Sequence, residues 1–171
     1  NLFIAINELG MDVLKIIAVM LNKDSNFFNP WAAKGNSLLR LIHYPPVTNN
    51  SNKLRARAHE DINLITLLVG AEESGLEVKS KKGTWVPIKA SSNAIVCNIG
   101  DMMQLVTDGL LLSTTHRVIS YPESQSKSRY SMPFFLHPSP DIILKSIFDE
   151  TDEGVLADDF LTERLKAIKL Y

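Results

Sequence analysis

The triplet His59-Glu60-Asp61 contains one of only four histidines in the chain. In an extended backbone, residues two apart leave the same face. The His59 imidazole and the Asp61 carboxylate can then reach one metal ion while Glu60 points away. A chain of this composition yields a His-x-Asp about 0.2 times by chance, so the triplet gains weight only with further ligands. His116 offers one, 55 residues past Asp61, at the head of His116-Arg117-Val118-Ile119-Ser120. Its plainer alternative is a histidine paired with a strand neighbour. Two imidazoles and one carboxylate on one side of a metal leave up to three positions for exchangeable ligands. Arg129-Tyr130-Ser131 follows 13 residues later. On a strand, Arg129 and Ser131 share a face, and a guanidinium fork beside a hydroxyl binds a carboxylate through charge-assisted hydrogen bonds. Tyr44 either adds a phenolic donor to that anion or is a packed aromatic before Pro45-Pro46.

These residues need elements to hold them. Residues 2–21 read as a helix that faces the core through Ile6, Leu9, Val13, Ile16, Ile17 and Met20. Glu8, Asp12 and Lys15 interrupt its apolar character, which favours a soluble helix over a signal or membrane span. Residues 37–44 read as a strand stopped by Pro45-Pro46. Short apolar runs follow at 65–69, 76–79, 84–88, 94–99, 116–120 and 131–136, with Gly70, Gly75, Gly83, Gly100 and Gly109 at turns or bends. Strands at this spacing predict a sandwich or barrel, with a β core over about 37–140. A last helix is expected over about 158–170, with Phe160, Leu161, Leu165 and Ile168 on one face and Asp158 or Asp159 as its cap.

The 171 residues carry a formal net charge of −1, with 45% hydrophobic and 22% charged residues, as expected of one folded domain. That balance argues against a nucleic-acid binder, which shows a basic excess or stripe. Lys79-Ser80-Lys81-Lys82, ahead of Gly83, reads as a solvated hairpin turn. The single cysteine, Cys97, excludes an internal disulfide and a thiolate zinc cage, and a reduced cytoplasmic setting is the expectation. Cys97 is expected to be buried, and Met102, Met103 and Met132 are expected to fill the core. Asn49-Asn50-Ser51 matches a glycosylation acceptor and reads as chance without an export signal. His43 and His137 lack the context of ligands.

Taken in order, His59-Glu60-Asp61-Ile62-Asn63-Leu64-Ile65-Thr66-Leu67-Leu68, Asn98-Ile99-Gly100-Asp101, Thr114-Thr115-His116-Arg117-Val118 and Arg129-Tyr130-Ser131-Met132-Pro133-Phe134-Phe135 resemble the isopenicillin N synthase-like branch of the Fe(II)/2-oxoglutarate-dependent dioxygenases. The resemblance runs from about residue 9 to 170. It implies a mainly β fold with flanking α-helices, a double-stranded β-helix (a cupin-like jelly roll), in one catalytic domain over 1–171. It implies that His59, Asp61 and His116 ligate Fe(II), and that Arg129 and Ser131, assisted by Tyr44, hold 2-oxoglutarate. No catalytic residue beyond the metal site is implied. With dioxygen, such an enzyme converts 2-oxoglutarate to succinate and CO2 while oxidising a C–H bond of a small organic substrate. Phe134 and Phe135 are candidates to line the substrate pocket.

Two departures keep alternatives open. Ile42 stands where many family members have an Asn near the cosubstrate. The Ile-x-Tyr-Pro pattern is similar to isopenicillin N synthase itself, which does without 2-oxoglutarate and binds its substrate's carboxylate with the corresponding Arg and Ser. The chain also starts inside the family's pattern, so the N-terminal region that helps cover the substrate entrance is expected to be absent and the pocket incomplete. A β-helix binding protein without turnover, a nucleic-acid oxygenase and a zinc hydrolase on the same ligands are the remaining alternatives. The leading expectation is a small-molecule oxygenase that acts on neither nucleic acid nor membrane, with its substrate and oligomeric state open.

Overall fold

The computed structural model describes residues 1–46, 54–69, 75–91, 93–121 and 126–168. The helices are α1 (Leu2–Met20), α2 (Asn29–Ala32), α3 (Asp101–Val106) and α4 (Ala157–Ala167). The strands are β1 (Leu38–Leu39), β2 (Ile42–Tyr44), β3 (Ala56–His59), β4 (Ile65–Val69), β5 (Leu76–Lys79), β6 (Trp85–Pro87), β7 (Val96–Ile99), β8 (His116–Val118), β9 (Arg129–Leu136), β10 (Ile143–Leu144) and β11 (Val155–Leu156). Every strand pairing is antiparallel. One sheet runs β1-β9-β4-β7 with β2 also on β9, the other runs β3-β8-β5-β6, and β10 and β11 form a separate pair. The two larger sheets enclose a cavity between them, the double-stranded β-helix that the motifs imply.

Alternation along β9 assigns the two faces of the first sheet. Arg129, Ser131, Pro133 and Phe135 line the cavity, while Phe134 and Leu136, both 0% exposed, enter the main core. The stretch expected as one strand over 37–44 is divided at Arg40-Leu41. A single register still spans it, since Leu39 pairs with Phe134 and Ile42 with Ser131. Arg40, Ile42 and Tyr44 therefore share the cavity side.

Helix α1 covers the opposite face. Asn1 Oδ1 caps it by accepting from Ile4 N at 3.4 Å, and Asn22, with φ of 55°, follows its last turn. Its buried residues are Ile6, Gly10, Leu14, Ile17 and Ala18. Leu9, Ile16 and Met20, expected in the core, are 39%, 61% and 70% exposed. Apolar residues surround this helix, so periodicity alone does not select the packed face; the small Gly10 and Ala18 do. A Cβ on Gly10 would come within 2.5 Å of Leu136 Cδ1, so the helix lies directly on β9. Phe3 meets Phe134 edge-to-face, with ring centroids 5.3 Å apart.

Other details also depart from the sequence reading. Helix α4 has Leu156 at its N-cap, and Asp158 and Asp159 lie inside the first turn, where they favour the helix dipole without capping. Ile168 is 57% exposed, unlike the half-buried Phe160, Leu161 and Leu165. Cys97 is exposed, because it lies on the outer strand β7 with Val96 and Asn98 taking the cavity side. Met102 and Met103 are buried as expected, at 1% and 0% exposure. The lysine-rich turn joins β5 to β6, with Gly83 at φ 80° and its N–H donating to Ser80 O at 2.8 Å. Gly70 and the Asn49-Asn50-Ser51 triplet lie outside the described residues. Among the described residues, no helix is long and apolar enough to cross a membrane.

Candidate metal centre

His59 ends β3, His116 opens β8, and the strand register pairs the two directly. Their imidazole centroids are 4.3 Å apart. Asp61 follows in the loop towards β4, and its Oδ1 lies 3.8 Å from His59 Nε2 and 3.7 Å from His116 Nε2. One ligand atom from each residue falls within 4.8 Å of the others, a spacing that suits one metal ion among them.

The surrounding hydrogen bonds determine which atoms face that ion. His59 Nδ1 is 2.7 Å from Arg57 O, and His116 Nδ1 is 3.0 Å from Thr114 O. A carbonyl oxygen can only accept, so each Nδ1 carries a proton, which leaves each Nε2 as the nitrogen able to offer a lone pair to a metal. Asp61 Oδ2 accepts from Thr66 Oγ1 at 2.7 Å and from Asn98 Nδ2 at 2.9 Å. Thr66 Oγ1 in turn accepts from Asn63 Nδ2 at 2.9 Å. With Oδ2 so held, Oδ1 is the oxygen directed at the histidines. Two neutral imidazoles and one carboxylate give a net-negative donor set of the kind that takes a divalent first-row ion.

Backbone bonds fix the loop that carries Asp61. Asp101 N donates to Asp61 O at 2.7 Å, Gly100 N to Leu64 O at 3.0 Å and Met102 N to Asn63 O at 3.2 Å. A Cβ on Gly100 would fall 2.1 Å from Asn63 O, so only glycine permits this approach. The segment Asn98-Ile99-Gly100-Asp101 thus holds the Asp61 side chain at one end and its backbone at the other. Glu60 turns outward and accepts from Thr115 Oγ1.

The metal-facing atoms open into a cavity of about 180 Å³. Arg129 and Ser131 line it at 1% and 6% exposure. Tyr44 pairs in register with Arg129, whose Cζ lies 5.5 Å from the Tyr44 ring centroid. Leu68, Val78, Val96 and Ile42 form apolar wall. Of the two candidate phenylalanines, Phe135 lines this cavity and Phe134 faces α1. His43 lies on the far side of β2, stacked on Tyr130 at 4.8 Å and bonded to Ser128 Oγ at 3.0 Å. His137, past the end of β9, is held by burial at a pKa of about 4 against the opposing field of Asp61.

Sequence reasoning passed over Asn63, Thr66, Asn98 and Arg40. Arg40 carried a readable signal, lying four residues before Tyr44 and so in phase with it on a strand of period two. Thr66 and Asn98 carried none until strand pairing set them opposite each other.

The model of the 2OG-Fe(II) oxygenase superfamily matches residues 35–138. A 2-oxoglutarate-Fe(II) type oxidoreductase of Emericella nidulans is 34% identical over 147 residues, covering 84% of this chain and 41% of its own length. The 2'-deoxymugineic-acid 2'-dioxygenase of Hordeum vulgare is 32% identical, covering 80% of this chain and 39% of its own. Among solved structures, a protein assigned to the 2OG-Fe(II) oxygenase family from Caulobacter crescentus superposes with a TM-score of 0.91 at 44% identity, over 98% of this chain and 57% of that one. A full-length Neurospora crassa protein, solved in complex with alpha-KG and thymine, gives a TM-score of 0.90 at 31% identity, over 98% and 55% respectively. The chain spans about two fifths of those two curated relatives. It belongs to the 2OG-Fe(II) oxygenase superfamily.

Proposed function

We propose that this chain is the catalytic core of an oxygenase that uses Fe(II), 2-oxoglutarate and dioxygen on a small organic substrate. It would oxidise a C–H bond of that substrate with dioxygen while 2-oxoglutarate yields succinate and CO2. The carrying observation is the convergence of His59 Nε2, His116 Nε2 and Asp61 Oδ1 at the wall of a cavity that also holds Arg129 and Ser131. His59, Asp61 and His116 would hold the iron, and the bound iron with its cosubstrates supplies the oxidising chemistry. The protein's own groups bind and orient. Arg129 and Ser131 would receive the distal carboxylate of 2-oxoglutarate, and Tyr44 packs against that guanidinium. The apolar wall keeps water from the reacting bond.

The names of the relatives support 2-oxoglutarate use over the isopenicillin N synthase-like alternative, although Ile42 lines the cavity beside Tyr44. Thymine in the Neurospora crassa complex supports a small-molecule substrate. Neither nucleic acid nor membrane enters this reading, and a cytoplasmic setting accompanies it. Calorimetric titration of 2-oxoglutarate into the Mn(II)-loaded chain tests the anion site. Arg129→Ala should weaken binding by at least about tenfold while sparing Mn(II) affinity, as expected for loss of a buried charge-assisted pair. An unchanged 2-oxoglutarate affinity would remove Arg129 from that role.

A further inference from the structure

Outside the metal cavity, a groove of about 350 Å³ is lined by Glu60, Asp101, Gln104, Ser113, Phe160 and Arg164. Asp101, the first residue of α3, is 7% exposed, and its Oδ2 accepts from Arg164 Nη2 near the end of α4. A carboxylate this buried needs a charge partner, because desolvation penalises it heavily when it stands alone. Arg164 is that partner, 63 residues away in sequence and on another helix.

The pair bears directly on the Asp61 loop. Asp101 N donates to Asp61 O at 2.7 Å, while Gly100 N and Met102 N donate to Leu64 O and Asn63 O. The close approach of Gly100 to Asn63 O leaves this junction no slack. A shift of Asp101 is therefore passed to the Asp61 backbone instead of being absorbed between them. Helix α4 is secured separately at its start. Ala157 N donates to Ile142 O at 2.8 Å, and Ala157, Phe160 and Leu161 pack against the main core. Arg164 is exposed in the last turn and takes no part in that packing.

Resting on the metal reading above, we infer that Arg164 is a positioning residue for the metal centre, acting through Asp101 on Asp61. Its guanidinium neutralises the buried Asp101 carboxylate and holds the start of α3 against the loop. The loop in turn sets where the Asp61 carboxylate meets His59 and His116. A ligand set works only when held to within about 0.5 Å, so a fixed backbone behind Asp61 matters as well as the donors on its side chain.

The test joins calorimetric Mn(II) titration with NMR amide exchange at Asp101 in the metal-free chain. Arg164→Met, which keeps length and helix propensity but loses the charge, should weaken Mn(II) binding by about three- to tenfold. That is less than the roughly 10–100-fold cost of removing a ligand's own hydrogen-bond partner. It should also speed exchange of the Asp101 amide, and Arg164→Lys should restore most of both. Leu161→Ala loosens α4 from the core without touching the ion pair, and should leave Mn(II) affinity within about twofold of the parent. Parent-like affinity or amide exchange in Arg164→Met, or an equal loss of affinity in Leu161→Ala, overturns the assignment. Asp101→Asn supplies a second route. With the buried charge gone, adding Arg164→Met should cost no further Mn(II) affinity, and a further loss of similar size overturns the assignment as well. A parent that binds no Mn(II) marks failure of the metal reading itself, and the amide-exchange comparison then still decides whether Arg164 holds the loop.

Discussion

Asp61 owes its orientation to two donors on one oxygen, Thr66 Oγ1 and Asn98 Nδ2. Thr66→Val or Asn98→Ala should each weaken Mn(II) binding by roughly 10–100-fold, the usual cost of removing a ligand's supporting hydrogen bond. Calorimetry checks this, and parent-like affinity in both variants would show that Asp61 needs no such support. His137 makes a second prediction. Burial holds its pKa at about 4, below the 6.5 of a free imidazole, and its Nδ1 has no hydrogen-bond partner among the described residues. As pH falls, the unfolded chain binds this proton first, so the contribution of His137 is present above pH 6.5 and fades between 6.5 and about 4. Denaturant titrations of the parent should lose stability across that window, and His137→Gln should flatten the loss; equal slopes would refute it. The three residues that the fold brings together, His59, Asp61 and His116, were legible as candidates in the sequence from a spacing of two and a downstream histidine. Their supports were not, because a threonine and an asparagine 32 residues apart become partners only through strand register.

At the level of elements, the link between α3 and the Asp61 loop matters most. Gly100 brings the start of α3 against Asn63, with a virtual Cβ 2.1 Å from Asn63 O and 2.3 Å from its Oδ1. Backbone cannot yield as a flexible side chain does. Gly100→Ala should therefore cost about 1–3 kcal/mol and lower Tm by several degrees, with a parallel loss of metal affinity. A parent-like melting curve would mean that the loop shifts freely. The sequence marked Gly100 as a bend without showing what it approaches. It also marked α1 correctly as a helix and set Ile6, Val13 and Ile17 on its packed side, but it placed the exposed Leu9, Ile16 and Met20 there too and missed Gly10, which meets β9. Strand β3 went unread because Ala56-Arg57-Ala58-His59 has no apolar run. Its role comes from pairing with β8.

Across the whole molecule, the proposed centre draws its groups from both sheets. His59 and His116 come from one, the donors that orient Asp61 come from β4 and β7 of the other, and the anion site comes from β9. The ordered motifs made this plan legible through resemblance, whereas the apolar cavity wall of Leu68, Val78 and Val96 emerged only from the folded register. On the proposed function, a metal between the sheets and a diacid at Arg129 would act as one site. Anaerobic addition of 2-oxoglutarate to the Fe(II)-loaded chain tests this most directly, because chelation of iron by a keto acid produces a weak visible charge-transfer band. The band should grow to saturation in the parent, require more 2-oxoglutarate in Arg129→Ala, and be absent in His116→Ala. Tightly bound iron that gives no band with 2-oxoglutarate, or an undiminished band in His116→Ala, would contradict the account.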